Sequence, residues 1–492
     1  MGRRIFAVGL AMLAVALGSS AAFAQGPVPA SEVQGLKDEI RKLQERLNRL
    51  EEAPRPDVVP VQAPVPGEKE IKLDGGKEHI FETIGLPKPE IAGTKISGFF
   101  VGSANYNSHV QLVPEFAGGA QAKADPERTN FRFDKVGIAL SRTFAPWLYG
   151  SAAIEIESHR DVHSHLTSAT AANRQGCPVG LACERFGAET PTTEATLDKF
   201  NLTAVVPWGN GLALSLARFD VPFGIERHDE PLNLTATTSE VFDFGRPQRG
   251  TGLTAAYQVA PWLDAMAWVV NRWESETTHD PFDDNNAAKT WGGRIGFTPI
   301  SRDGILNFGV GGSWGAERAN VESDYRWVLD GDVTWSPMPG LLFAGEVVYG
   351  HEDNVTTRQV GIPVPMPARN NEDREWLGFY ALAHYDVVDW LGLSFRYGYF
   401  DDEDGYRTGV EQVLQSFTIA PVVHLSKLIP DLKPTGVAYA RTNHPINWVD
   451  LKLEYRLNHS DRDAFSDSKP ALGILKGDDT SHQFQLQVVV NF

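Results

Sequence analysis

The sequence predicts an all-β chain: a 16-stranded antiparallel transmembrane β-barrel with a short N-terminal α-helical coiled coil. Three observations carry this. From about residue 95 onward, apolar and polar side chains alternate with a period of two. The connections between the alternating segments are short and long by turns. Past the first 24 residues, no stretch reaches the ~20 apolar residues that a membrane helix takes. Composition agrees, since 46 Gly, 12 Trp, 12 Tyr and 26 Phe among 492 residues suit strands better than a helical core. The 63 acidic against 45 basic side chains give a net charge of −18. That excludes a nucleic-acid partner, which needs a Lys/Arg surface to displace counterions from phosphate.

Residues 1–24 read as a signal peptide. Arg3 and Arg4 precede the apolar run Ile5 to Leu17, and Ala22-Phe23-Ala24 supplies the small-x-small cleavage pattern. Residues 31–52 place Val33, Leu36, Ile40, Leu43, Leu47 and Leu50 at alternating spacings of three and four, the seam of a coiled coil. Ser31 with Gln34 forms a capping box, and Arg46 and Glu51 fall at g and e positions. The chain is therefore expected to form a homo-oligomer through residues 31–52. A single amphipathic helix lying on the barrel or the membrane is the alternative, and the seam residues do not separate dimer from trimer. Residues 53–94 form a tether and lead-in: Pro54, Pro56, Pro60, Pro64 and Pro66 forbid helix and favour an extended spacer.

The barrel proper is expected over residues 95–492. In Val449 to Leu457 every odd residue is apolar or aromatic and every even one polar, so one face meets an oily phase and the other water. Sixteen such segments fall near 95–104, 129–143, 147–158, 196–206, 211–219, 251–260, 262–273, 290–299, 304–316, 326–336, 341–350, 374–386, 390–400, 412–423, 446–458 and 481–492. The short connection 424–445 breaks the rule as an insertion. Trp147, Trp208, Trp262, Trp291, Trp335, Trp390 and Trp448 sit near segment ends, as interfacial girdles require. A chain that ends on Phe492 in an alternating strand resembles bacterial outer-membrane barrels, whose last strand is read by the barrel assembly machinery. The expected location is thus the bacterial outer membrane, with its lipid as a partner.

Strand parity puts Arg132, Glu155, Glu157, Lys199, Arg294, Asp330, Asp332, Glu346, Arg396, Asp450, Lys452, Glu454 and Arg456 on the polar face. Unpaired ions in a packed core would each cost several kcal/mol, so this surface is expected to line a hydrated lumen. A lumen filled by a plug or by mutual salt bridges is the alternative. Arg218 shares parity with Leu212, Leu214 and Leu216, so it either snorkels at the interface or a bulge intervenes.

The connection after the fifth segment runs from Asp220 through Pro222-Phe223-Gly224 to Gly250. It resembles the constriction loop of sixteen-stranded porins, which folds into the lumen. The resemblance implies that Glu226, Arg227, Asp229, Glu230, Asp243, Arg246 and Arg249 lie at a constriction, the acids facing wall arginines such as Arg132. An ordinary exposed loop is the alternative. Together with that turn, Val269-Val270-Asn271-Arg272-Trp273, Asp284-Asn285-Asn286, Lys289-Thr290 and Gly296-Phe297-Thr298-Pro299 resemble the putative β-barrel porin-2 (OmpL-like) family. The coil and tether resemble those of phosphate-selective porins, which implies a trimer. The arginine ladder and lysine cluster of the phosphate pathway are not visible in this sequence.

No catalytic or cofactor motif stands out. His159, His163 and His165 with Asp161 read as a solvated connection rather than a metal site. Cys177 and Cys183, in the same connection, are expected to form a disulfide in an oxidising compartment. The expected function is a porin, a channel for passive diffusion of small hydrophilic solutes or ions with a weak cation preference drawn from the net charge and the acidic third loop. Its rivals are a structural anchor whose coil contacts peptidoglycan or a periplasmic partner, and a barrel enzyme.

Overall fold

The computed structural model describes residues 94–492 apart from 114–126, 160–161, 169–181, 189–191, 274–283, 285, 302–304, 319, 358–368, 430–440, 442–443, 445 and 467–476. The leader, the coil, the tether, the Cys177–Cys183 pair and the side chains of His159, His163 and His165 lie outside the described residues.

Sixteen strands close into one antiparallel barrel. They are β1 (Thr94–Asn107), β2 (Thr129–Ala145), β3 (Leu148–His159), β4 (Thr192–Val206), β5 (Leu212–Asp220) and β6 (Arg249–Ala260). Next come β7 (Leu263–Val270), β8 (Thr290–Ser301), β9 (Ile305–Ala316), β10 (Tyr325–Met338) and β11 (Leu341–Thr357). The last five are β12 (Arg369–Val388), β13 (Leu391–Asp402), β14 (Gln412–His424), β15 (Val449–Ser460) and β16 (Thr480–Asn491). All sixteen expected segments are present, each paired with its sequence neighbour, and β1 pairs β16 to close the ring. Strands β11 and β12 run past their expected ends on the long-loop side, because Val355↔Glu372 and Thr357↔Arg369 continue their ladder as a hairpin arm. Above the rim, the first, second and eighth long connections add a small sheet that the alternation did not announce. Its strands are ordered Gly477–Asp478, Phe465–Ser466, Val110–Val113, Val162–Ser168 and Ala182–Ala188.

The outer face is apolar as the alternation requires. Ile138, Leu140, Ile154, Leu216, Leu253, Ile295, Val310, Leu329, Phe395 and Phe417 are exposed on a surface that in a membrane faces acyl chains. Trp147, Trp208, Trp262, Trp291, Trp335 and Trp390 are exposed at strand ends, as the girdle reading expects. Every backbone polar group within such a closed ladder finds a partner, which is what allows strands to cross hydrocarbon. Closure is completed by the last residue: Phe492 and Gly98 exchange backbone hydrogen bonds of 2.8 and 2.9 Å. Gly98 is small by necessity, since a Cβ there would lie 2.5 Å from the Phe492 ring.

Two of the register shifts in the ladder place charges in the lumen. Asp134 is the extra residue in β2 between the pairs Val101↔Lys135 and Gly102↔Phe133. Asp198 is the extra residue in β4 between Ala153↔Lys199 and Ile154↔Leu197. Each bulge leaves an Asp-Lys dipeptide with both members buried, at 4% and 1% exposure in β2 and 2% and 7% in β4. Arg218 is settled by the second of these. It is buried, donates to the Asp198 carbonyl and lies 3.6 Å from the Asp198 carboxylate. The bulge sits across from Arg218, not in its own strand, and Arg218 does not snorkel.

Candidate functional site

The connection 221–248 lies inside the barrel, and nearly all of its residues are buried. Its entry is the Pro222-Phe223-Gly224 turn. Gly224 has φ +52°, and a Cβ there would meet the Glu346 carboxylate and come within 2.9 Å of the Tyr380 hydroxyl, so only glycine fits. Tyr380 on β12 then receives the Ile225 amide at 3.2 Å. Arg227 folds back on its own turn, donating to the carbonyls of Phe223, Gly224 and Glu226 at 3.1, 3.2 and 2.7 Å. Asn233 brackets the Arg227 backbone, accepting its amide at 2.8 Å and donating to its carbonyl at 2.7 Å.

Beyond the turn, the loop is clamped to strands β11–β15. Arg396 makes five hydrogen bonds, to Glu226 at 2.8 Å, to the Thr235 hydroxyl at 2.8 Å, to the Thr237 hydroxyl at 2.9 Å and to the carbonyls of Thr237 and Thr238. Lys452 donates to the carbonyls of Glu230 and Asn233 at 2.8 and 2.7 Å. Glu454 accepts the Ala236 amide at 2.7 Å and the Thr237 hydroxyl at 2.5 Å. Arg456 pairs with Glu240 at 2.5 Å, and Arg246 pairs with Glu346 at 2.6 Å. Burial alone would raise Glu240, but Arg456 and Arg396 hold it below the usual carboxylate range. Burial, with Glu226 and Glu240 nearby, outweighs the Thr238 hydroxyl at 2.6 Å and the Arg456 charge, and pushes Asp243 up to about 6.

Apolar side chains of the loop fill the remaining space on this side. Phe223 packs against Trp268 at 5.7 Å between ring centroids, and Phe244 against Phe400 at 5.8 Å. Trp376 donates its indole N–H to the Gly245 carbonyl at 2.9 Å. Arg407, from the connection between β13 and β14, lies over Trp273 and Trp376 at 5.2 Å from each and donates to the Phe244 carbonyl at 2.6 Å.

On the opposite wall, strands β2–β4, the loop meets the two bulges. Lys199 bridges Asp220 and Asp229 at 2.8 and 2.7 Å, and Arg249 binds Asp198, Asp220 and Asp229. Lys135 lies 3.5 Å from both Glu155 and Glu230 and 3.8 Å from Glu157. Its ammonium is 3.2 Å from His228 Nδ1. Burial, then Arg249, Lys135 and Lys199, hold His228 well below its ordinary value, so it stays neutral beside the lysine. Here three acids keep part of their surface: Glu157 is 25% exposed, Glu230 16% and Asp229 15%, against 1% for Lys135 and 8% for Lys199, while Glu155, Asp198 and Asp220 are buried.

Two expectations are corrected by this arrangement. The charged inner wall does not simply face water: Arg294, Asp330, Asp332, Glu346, Arg396, Asp450, Lys452, Glu454 and Arg456 are all buried. Most of them meet opposite charges or loop backbone, as Arg294 binds Asp332 at 2.7 Å, whereas Asp330 lies beside the like-charged Glu346 and Asp332. The loop acids meet Arg396, Lys199, Arg249 and Lys135, whereas Arg132 donates to the Ser158 carbonyl at 2.5 Å and lies 3.8 Å from Asp134 within its own wall. Sequence reasoning missed Lys135, Asp198, Asp220, Glu240 and Tyr380. The signal for the first two was the Asp-Lys dipeptide, a charge doublet inside an alternating strand. Described residues of the connection 425–448 also contact the lumenal loop and its wall. This connection opens with one helical turn, α1 (Leu425–Leu428), and its Arg441 binds Asp332 at 2.8 Å and the Pro222 carbonyl of the loop turn.

A closed sixteen-stranded barrel with an apolar outside, a charged inside and a folded-in third loop defines an outer-membrane channel protein of the porin class. The chain belongs to the family described as putative beta-barrel porin-2, OmpL-like, whose model matches residues 162–492. Among solved structures, the chain is similar to the outer membrane channel DcaP of Acinetobacter baumannii. Identity is 12%, coverage 82% of this chain and 99% of that one, and the TM-score 0.47. The anion-selective porin from Comamonas acidovorans shows 9% identity, coverage of 81% and 99%, and a TM-score of 0.47. Salmonella typhi OmpF in complex with daunomycin shows 12%, 81% and 97%, and 0.46. No curated protein matches the chain.

Proposed function

We propose that the protein passes small hydrophilic solutes and ions by passive diffusion, with a weak preference for cations. One observation carries the preference: around Lys135 and Lys199 the accessible groups are carboxylates, those of Glu157, Glu230 and Asp229, while both ammoniums and the acids Glu155 and Asp220 are buried. The same holds at Asp264, 19% exposed beside an Arg294 of 1%. A mobile cation near such a wall meets negative charge first, and low-dielectric surroundings strengthen that field. The net charge of −18 acts in the same direction. The route for solutes runs along β2–β4, where Ala139, Ser141, Thr143, Ser151 and Ala153 on the inward side of the short-turn end are half-buried rather than buried.

The remaining parts of the reading concern residues ahead of the barrel. Residues 1–24 act as the export signal, 31–52 join copies of the chain as a trimer, and 53–94 space that coil from the barrel; the support is the seam spacing and the proline run. Phe492 presents the last strand to the assembly machinery. The test is the reversal potential of the purified protein in a planar bilayer under a potassium chloride gradient. A cation-selective sign supports the proposal, and an anion-selective sign refutes the preference.

A further inference from the structure

At the short-turn end of the barrel, three histidines and two aspartates from four places in the sequence converge. His384 and Asp386 lie on β12, His424 ends β14, His444 comes from the connection 425–448, and Asp450 lies at the start of β15. His384 Nε2 is 3.2 Å and His424 Nε2 3.3 Å from the same oxygen, Asp386 Oδ1. His444 Nδ1 is 3.8 Å from Asp386 Oδ2, and its ring meets that of His384 edge-on at 4.6 Å. The three imidazoles are 3% exposed or less, while Asp386 keeps 24% of its surface open.

The separations are those of a ligand set. A tetrahedral ion with bonds of ~2.0–2.1 Å holds its ligand atoms ~3.3 Å apart. The candidate ligand atoms of His384, Asp386 and His424 all lie within 4.8 Å of one another. The far nitrogens of both rings are anchored, as metal-binding histidines require. His424 Nδ1 faces Asp450 Oδ1 at 2.7 Å, and His384 Nδ1 faces Ser394 Oγ at 2.7 Å.

Ser394 Oγ also lies 3.2 Å from the Leu234 carbonyl. His384 Nε2 and Asp386 Oδ1 face each other at 3.2 Å. The space beside them is kept by Gly392, where a Cβ would lie 2.5 Å from His384 Cε1 and 3.0 Å from Asp386 Oδ1. Because Leu234 belongs to the lumenal loop, the cluster is also joined to the constriction through Ser394.

We propose that His384, Asp386 and His424 bind a divalent transition-metal ion of the zinc type, for which imidazole and carboxylate donors are suited. The test uses the full chain in detergent, stripped with a chelator and titrated with zinc alone by calorimetry, with bound metal counted by elemental analysis. One zinc per chain is expected. The His384→Ala/His424→Ala variant should lose it, and Asp450→Asn should weaken it by about 10- to 100-fold. His351→Ala, which disrupts a separate His351, Asp353 and Asp373 group, should leave the zinc count at one. Strand content by circular dichroism and heat-dependent gel mobility show that each variant is folded. If the double variant does not fold, His384→Gln must still weaken zinc at least about 10-fold. No zinc on the wild-type protein, unchanged binding in a folded double variant, or unchanged binding in His384→Gln would each overturn the proposal.

Discussion

On strands β11–β15 the wall charges end on backbone and side chains of the lumenal loop, whereas on β2–β4 the lysines meet side chains alone, those of the loop and of their own wall. Arg396 shows the first case: one guanidinium is shared among a carboxylate, two hydroxyls and two carbonyls of residues 226–238, and nothing of it remains exposed. Lys135 shows the second: one ammonium lies between Glu155, Glu157 and Glu230 at 3.5 to 3.8 Å, so the carboxylates outnumber it, and Glu157 and Glu230 keep open surface. The difference teaches that a charged wall is dry where backbone groups complete the coordination of each ion, and wetter where only side chains are available. In the proposed function the aperture lies on the β2–β4 side, and its acids set the sign of the selectivity.

The comparison can be broken most forcefully at Arg396. Arg396→Ala leaves Glu226, 3% exposed, without its guanidinium, and such a loss at a buried pair costs about 3–5 kcal/mol. Urea unfolding in detergent should show a loss of that order, and the loosened loop should raise the unitary conductance. Gly224→Ala should be next, at about 1–3 kcal/mol, since the new side chain must adopt φ +52° against Glu346.

A pH series then tests the loop side alone. Asp243 sits at about 6 in the folded chain, above its ordinary value of 3.8. The folded state therefore binds the proton more tightly, so its contribution is fully present below pH ~4, falls as pH rises, and is gone above about 6. Asp243→Asn should flatten the stability profile across that window, and a profile unchanged by the substitution would contradict the assignment. The smallest stability effect belongs to the opposite wall. Glu157→Gln, at a side chain 25% exposed, should change stability by less than about 1 kcal/mol yet move the reversal potential toward zero. A large loss of stability with no change in selectivity would reverse the roles given to the two walls.

Much of the architecture was legible because a barrel strand states its two environments residue by residue. Val449 to Leu457 fixes its own faces, and the long and short connections fix which end each strand begins from. What parity cannot see is a bulge, and the two Asp-Lys dipeptides at 134–135 and 198–199 place Lys135 and Asp198 where strict counting puts neither. The Pro222-Phe223-Gly224 turn and the charges after it marked the loop, but not its partners. Glu226 and Arg396 are separated by 170 positions, and no local pattern pairs them over Glu226 and Arg132. The His384, Asp386, His424 and His444 group was invisible for the same reason: its members meet only when β12, β14 and the connection 425–448 are side by side.

The central claim is that residues 221–248, braced by Arg396, set the aperture. Single-channel recording in a planar bilayer, wild type beside Arg396→Ala, tests it most directly. Stepwise openings in the wild type, and larger steps in the variant, are the expected result. Steps of equal size in the two proteins would contradict it, as would a wild-type protein that inserts and never conducts.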